Sequence, residues 1–598
     1  MGALIGEFCW KPTAQSLPLL PLHRRGADAE GTWMSHDGHC WLGHTPLPIQ
    51  DLTEAGAQPI SSHCGRITLV FNGEIYNHKA VRGGLRFQLW RGHTDSETLV
   101  EGLAQRGPAL LLELRGMFSF AAYDRDKQQL LLGRDRLGIK PLYMQWLDAG
   151  LRFGSERRAI GVNHRLAAQE ISQMLAFGHL LTPSDFCGPE SGGCHSLPPG
   201  VVVRVNRDRP HLPIRYWPPQ PRPDWTPLPI HDARWARRFL RQQLEVVVQQ
   251  HLLADRPGAF LLSSGINAGI LTALACRLMP GRISSLTVGL PGTHVDESDR
   301  ALKLSRHCGS DHHLILVDED QALGWMEAGL QSLDIPSAHG LKSNLICRAV
   351  AEQGTKVAVG GLGADELFGG YPSHRIVPWL FLMRSLPAGL RSGLLQAGSG
   401  RLATKIEGLP TWDRWHLAVA LRRWASDGDL VAAGVEALKW SSPPPERISQ
   451  GWGQISWAEL FGTSVPRLLR DINGYSMATG LELRVPFFDH RLVEIALRMP
   501  QRFQRPGNGL LRASCQDLFP VGYLDSPRQA FSLPMRPWML GPLLNLCSLR
   551  LEALQSSGWL DPDWITQQWQ AFYGRKLPWP RAWSLVVLGE WALREQHS

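Results

Sequence analysis

Apolar and polar positions change their spacing along this 598-residue chain, and each change marks a different kind of element. Through residues 1–205 the apolar residues come in short runs: CWLGHTPLPI, GRITLVF, GMFSFAAYD, QLLLGRD, LRFGSE and GVVVRV. Turn residues separate them, which predicts a β-rich, layered domain with a few helices. Arg209 to Asp232 is dense in proline, which excludes regular helix and central strand and marks a linker. Beyond it the spacing turns helical, with Trp235, Phe239, Leu240, Leu244, Val247 and Val248 in phase. Ala259–Leu262 reads as a buried strand, SSGIN as a small-residue turn and Ala268–Leu278 as a helix. SSLTVGL and KVAVGG read as two more strands. Strands alternating with helices predict a parallel sheet whose ligands sit at the carboxyl ends of its strands. Each of the three strand ends carries glycine: Gly265, Gly289 and the pair Gly360-Gly361. From about Tyr371 onward the pattern is helical and rich in tryptophan.

Composition narrows the function classes. Apolar residues make up 43% of the chain, enough for real cores. The net charge of +8 would suit an anionic partner, but no continuous Lys/Arg block exists. The densest cluster, Arg234, Arg237, Arg238 and Arg241, is interleaved with apolar residues like the polar face of a helix, so no nucleic-acid partner is expected. The ten cysteines form no CxxC pair, and Cys194-His195 stands alone, which argues against a metal site there. Scattered cysteines, no signal-peptide pattern at the start and no apolar run long enough to span a membrane point to a cytoplasmic chain without a membrane partner.

Three stretches carry candidate chemistry. In FNGEIYNH an apolar run ends in Asn72, Gly73 and Glu74, which reads either as a hairpin turn or as a pocket for a ligand bearing an amine and an amide. SSGIN is a turn opening a helix, where backbone N–H groups and the helix dipole favour a phosphate. GGLGADELFGGY sets Asp365 and Glu366 among five glycines at a strand end, suited to a metal–phosphate complex; the bland reading has Asp365 capping a helix. Two such stretches on one sheet favour a nucleotide site.

Together these stretches resemble the glutamine-dependent asparagine synthetase family. MGALIGEF lines up with the family's MCGIAGIF, and RGADAEG, FNGEIYNH, TDSETL, LRGMFSFAAYD, GRDRLGIKPLY, GADELFGGY and SMATGLELRVPFFDHRLVEIALRMP follow in the family's order. The resemblance implies an α+β layered, N-terminal nucleophile-type glutaminase domain (type 2 glutamine amidotransferase) over residues 1–208. A linker over 209–232 and an asparagine synthetase-like domain over 233–598 would follow, the latter with an ATP-pyrophosphatase-type α/β parallel sheet and a helical C-terminal part. It implies small-molecule substrates: ATP with Mg²⁺, a carboxylate acceptor and ammonia, which in the family is released from glutamine and travels through a tunnel. It leaves room for a homodimer. It places glutamine on Asn72, Gly73, Glu74 and Asp95, and ATP on Leu262, Ser263, Gly265, Asn267, Val288, Gly360 and Gly361. Asp365 would hold the metal, and Asp365 and Arg528 would serve catalysis.

The chain departs from that pattern where chemistry is done. Gly2 stands where the family has its nucleophilic cysteine, and glycine has no side chain to attack with. Cys9 is a weak substitute, seven residues on. Pro46 stands where the family's arginine binds the glutamine carboxylate. In the pyrophosphate loop Ser264 replaces a glycine, which predicts crowding of the phosphate path. Asn267 replaces the Mg²⁺-holding aspartate, Ala268 a hydroxyl, Leu362 an acid, and Arg528 the catalytic lysine, and arginine does not readily give up a proton. Two expectations follow: an ATP-dependent amide-forming ligase without glutaminase activity, or a catalytically silent homologue that binds nucleotide or serves as a scaffold.

Overall fold

The computed structural model describes the chain apart from residues 1, 26–28, 48–55, 88, 162–164, 182–193, 208–212, 219–224, 253–257, 292–297, 399, 441–447, 449, 526–532 and 597–598. Strands β1 (Gly2–Cys9), β2 (Gly31–Met34), β3 (Cys40–Pro46), β4 (Ile60–Ser61), β5 (Ile67–Ile75), β6 (Gly116–Asp124) and β7 (Gln129–Arg134) come first. They are followed by β8 (Tyr143–Leu147), β9 (Gly150–Gly154), β10 (Cys194–Ser196), β11 (Val201–Asn206) and β12 (Ile214–Arg215). They form two antiparallel sheets, in the orders β10-β8-β9-β1-β3-β2 and β12-β11-β7-β6-β5-β4.

The period-2 alternation of the sequence becomes two separate cores. In β5 and β6, Val70, Ala121 and Tyr123 join Leu4, Phe8 and Leu42 of the other sheet. Ile67, Leu69, Phe71, Phe118 and Phe120 face the opposite way, onto the helix Asp95–Arg106 and beyond. Both faces of β5 are thus buried, which is why its run is continuously apolar.

The third sheet is parallel: β13 (Gly258–Leu261), β14 (Ser284–Gly289), β15 (Asp311–Leu316), β16 (Val357–Val359) and β17 (Glu482–Arg484), in the order β15-β14-β13-β16-β17. The apolar runs of the sequence predict β13, β14 and β16 and give no sign of the two edge strands. β15 is a half-exposed edge in which Leu314 and Leu316 face solvent, so it lacks the buried run of a central strand. β17 has only three residues, all buried. The helix Ile266–Leu278 starts two residues before the expected Ala268, with Gly265 at its N-cap. No helix among the described residues is long and apolar enough to cross a membrane.

Several side chains bridge the antiparallel and parallel parts, among them Arg25 to Asn473, Arg158 to Asp334 and, most deeply, Arg484. Arg484, at the end of β17, is fully buried. Its Nε donates to Glu482 Oε1 at 2.6 Å, its Nη1 to the His251 carbonyl at 2.8 Å, and its Nη2 lies 3.9 Å from Glu74 at the end of β5. Beside it the Tyr76 and His251 rings pack at 4.2 Å. Removing one partner of such a buried group strands the others, at a cost of about 3–5 kcal/mol. Arg484→Ala is therefore expected to lower the thermal midpoint by about 5 °C or more, read by calorimetry. Arg498→Ala, with its guanidinium on the exposed Thr226 carbonyl, is the control expected to change it little.

Candidate functional site

The carboxyl ends of β13, β14 and β16 enclose a cavity of about 260 Å³. Leu262, Ser263, Gly265, Asn267, Val288, Gly360 and Gly361 all line it, as do Asp365, Glu366, Leu362, Lys342 and Tyr371. The glycines are placed for close approach of main chains. A Cβ on Gly361 would lie 2.6 Å from the Ala268 nitrogen, inside the first turn of the helix Ile266–Leu278. Gly265 caps that helix without a side-chain hydrogen bond, leaving its opening turn to a ligand or water. Ser264 is buried and is not among the residues lining the cavity. The bland reading of Asp365 as a helix cap is also set aside: Gly363 is the cap and Asp365 lies in the first turn of Ala364–Phe368.

At the floor of this cavity sits a group that sequence reasoning missed. Asn267 Nδ2 donates to Asp365 Oδ1 at 3.0 Å. Asn508 Nδ2 donates to the same Asp365 oxygen at 2.7 Å and to Asn267 Oδ1 at 3.1 Å. Asn508 adopts φ of 59°, the left-handed region that asparagine tolerates between the glycines of Gly507-Asn508-Gly509. That GNG stretch was the available signal, and it reads only as a turn. The other cavity carboxylate, Glu366, accepts from Ser464 Oγ at 2.6 Å and Tyr371 Oη at 3.0 Å, and burial raises its pKa.

These side chains are a poor set for a protein-held Mg²⁺. Asp365 Oδ1 is filled by two amide N–H groups, and Asn267 contributes no charge. Among the described residues no group of three His, Cys, Asp or Glu side chains could hold a metal ion. Arg528 lies outside the described residues.

The antiparallel part brings Asn72, Gly73 and Glu74 to the end of β5, with Asp95 beside them. Asp95 Oδ2 accepts from the Ile75 nitrogen at 2.8 Å, and burial pushes its carboxyl up to about 6. Burial also raises Glu74, and the nearby charges of Glu482 and Asp95 push the same way against Arg484. Gly73 has φ of 154°, and a Cβ there would lie 2.2 Å from the Met117 carbonyl oxygen, so only glycine fits. Among the described residues neither amide atom of the fully buried Asn72 has a hydrogen-bond partner, nor do Thr45 Oγ1 and Ser119 Oγ.

Gly2 lies in β1 directly opposite Pro46 of β3. Its φ is 144°, and a Cβ there would sit 1.9 Å from the Thr45 carbonyl oxygen and 3.0 Å from the Leu47 nitrogen. The backbone of β3 thus occupies the space that a nucleophilic side chain would need. Cys9 closes the far end of the same strand, about 23 Å away at about 3.3 Å per residue, and burial together with Glu7 raises its thiol pKa.

A larger cavity, about 440 Å³, lies where the two parts meet, lined by Arg134, Tyr143 and Arg157 on one side and Asp334, Arg470 and Asp471 on the other. The segment Val465–Gly474 divides the two cavities: Leu468 and Ile472 line the smaller, Val465, Pro466, Arg470 and Asp471 the larger.

Residues 239–593 match the family model for asparagine synthase, and residues 10–217 match that for a glutamine amidotransferase domain. Asparagine synthetase (glutamine-hydrolysing) 1 of Bacillus subtilis is 24% identical over 99% of this chain and 96% of its own length. Amidase chry2 of Gibberella zeae is 26% identical over 87% of this chain and 84% of its own. Asparagine synthetase B (glutamine-hydrolysing) of Escherichia coli is 30% identical over 62% of this chain and 65% of its own.

The floor of the smaller cavity yields a direct test. Asn267→Asp would replace a hydrogen-bond donor by a second carboxylate beside Asp365, at a cost of about 1.5–3 kcal/mol without a cation. Its thermal midpoint is expected to fall in metal-free buffer and to recover with millimolar Mg²⁺. The unaltered protein, titrated the same way, should respond little to Mg²⁺ alone.

Proposed function

The chain belongs to the asparagine synthase family, and on that premise we propose an ATP-dependent amide-forming ligase that works without a glutaminase. The reading divides the chain at 1–208, 209–232 and 233–598. The observation that carries it is the cavity at the strand ends, to which Leu262, Gly265, Val288 and Gly360-Gly361 bring main chain. Adenine would rest against the backbone of Leu262, Val288 and Gly360, and the phosphates against Ser263, Gly265 and the opening turn of Ile266–Leu278. Mg²⁺ would come with the nucleotide, with Asp365 as its nearest carboxylate.

The reaction is of the family's kind. A carboxylate oxygen of the acceptor attacks the α-phosphorus of ATP and pyrophosphate leaves. An amine then attacks the acyl carbon, AMP leaves with the bonding pair of the C–O bond, and the amine loses a proton. Lys342 and Arg528 supply positive charge at the phosphates in this reading. The amine comes from solution, as ammonia or a small primary amine, because Gly2 offers no nucleophile and Thr45 fills its place.

A second reading rests on the Asn267–Asp365 hydrogen bond, which satisfies the metal-binding carboxylate without a metal. It makes the protein a nucleotide binder with no turnover. ATP–pyrophosphate exchange with a panel of carboxylic acids separates the two: exchange supports the ligase, and ATP binding without exchange supports the silent homologue.

The absence of glutaminase activity is tested separately. Incubation with glutamine is expected to release no glutamate above a protein-free control. Gly2→Cys is expected to restore none, because its side chain would strike the Thr45 carbonyl; glutamate release by either protein refutes this.

A further inference from the structure

Two helices beside the smaller cavity show an unusual surface. The helix Ser373–Met383 packs Val377, Leu380 and Met383 into a small core of its own, together with Leu395 and Ile406 from the helices that follow. Its outer side presents Trp379 and Leu382, 53% and 73% exposed. The next helix, Ala388–Gly398, presents Leu390 and Leu394, 55% and 46% exposed. The pairs are spaced three and four residues apart, so each shares one helix face. This is a concentration of large apolar side chains in water, not a scatter of single ones.

Basic residues predominate beside them. Between Glu366 and Glu407 the sequence holds no Asp or Glu, while Arg375, Arg384, Arg391, Arg401 and Lys405 are present; Asp413 follows the Trp412 on which Arg391 rests. Arg384 stacks over the Phe381 ring at 3.8 Å and Arg391 over Trp412 at 4.2 Å, which holds their guanidiniums beside the apolar residues. Trp and Leu flanked by arginine are the chemistry of a surface that lies on an anionic bilayer: the apolar side chains enter the acyl boundary and the cations meet headgroup phosphates.

We propose that the helices Ser373–Met383 and Ala388–Gly398 dock this protein peripherally on an anionic lipid surface. The absence of a spanning helix is no obstacle, since such contact needs only a few inserted side chains. The proposal stands apart from the ligase reading, because none of its residues lines the nucleotide cavity.

The test is co-sedimentation of the full chain with vesicles of phosphatidylcholine alone or with about a third phosphatidylglycerol, at low and high salt. Binding to the anionic vesicles is expected to exceed that to neutral ones by about fivefold or more, and to fall in high salt. Leu382→Glu/Leu394→Glu is expected to lose about tenfold in binding while keeping its thermal midpoint, both positions being exposed. Trp379→Ala should show a smaller loss. No sedimentation, equal binding to neutral vesicles, or undiminished binding by the double variant overturns the proposal. So does a wild-type dimer in solution that the double variant converts to monomer, since the face would then be covered by a second copy.

Discussion

A buried guanidinium costs a great deal unless every carboxylate and carbonyl around it is in place, and Arg484 puts that constraint at the centre of this molecule. Its side chain reaches Glu74, at the end of β5 in the antiparallel part. Its main-chain oxygen accepts from the Gly360 nitrogen at 2.9 Å, on the wall of the nucleotide cavity. One residue therefore touches both candidate sites, and parting them would cost Arg484 its contact with Glu74 or with Glu482.

That coupling gives Glu74 a structural role at the joint, 3.9 Å from Arg484, besides its place in the candidate pocket. Gly73 is held to glycine by the Met117 carbonyl, which leaves no room for a side chain. At Gly2 the constraint comes from β3, whose Thr45 carbonyl oxygen would lie 1.9 Å from a Cβ. The same logic applies at the other site. Gly361 is pinned by the first turn of the helix it touches, whereas Asn267 and Asn508 satisfy Asp365 among themselves.

Much of this was legible in the sequence. The buried runs gave β13, β14 and β16, and the family resemblance named seven residues near their ends, all of which line one cavity. What escaped was of two kinds. β15 carries half-exposed histidines and leucines, and β17 is too short to show a period, so neither has a strand signature of its own; each is a strand because of its neighbour. Asn508 meets Asn267 across 241 positions, and the Thr45 carbonyl meets Gly2 across a strand pair, contacts that no local pattern encodes.

Sites built from main chain tolerate drift in side chains, and sites built from side chains do not. The cavity at the ends of β13, β14 and β16 draws on strand ends, glycines and a helix opening, features of the main chain. At Gly2 the β3 backbone stands where a side chain would go, so that position depends on space which the strand pair does not leave. The Asn267–Asp365 hydrogen bond belongs to both descriptions: it is a side-chain contact on a main-chain frame, and it spares Asp365 the repulsion that a second carboxylate at position 267 would bring in the absence of a cation.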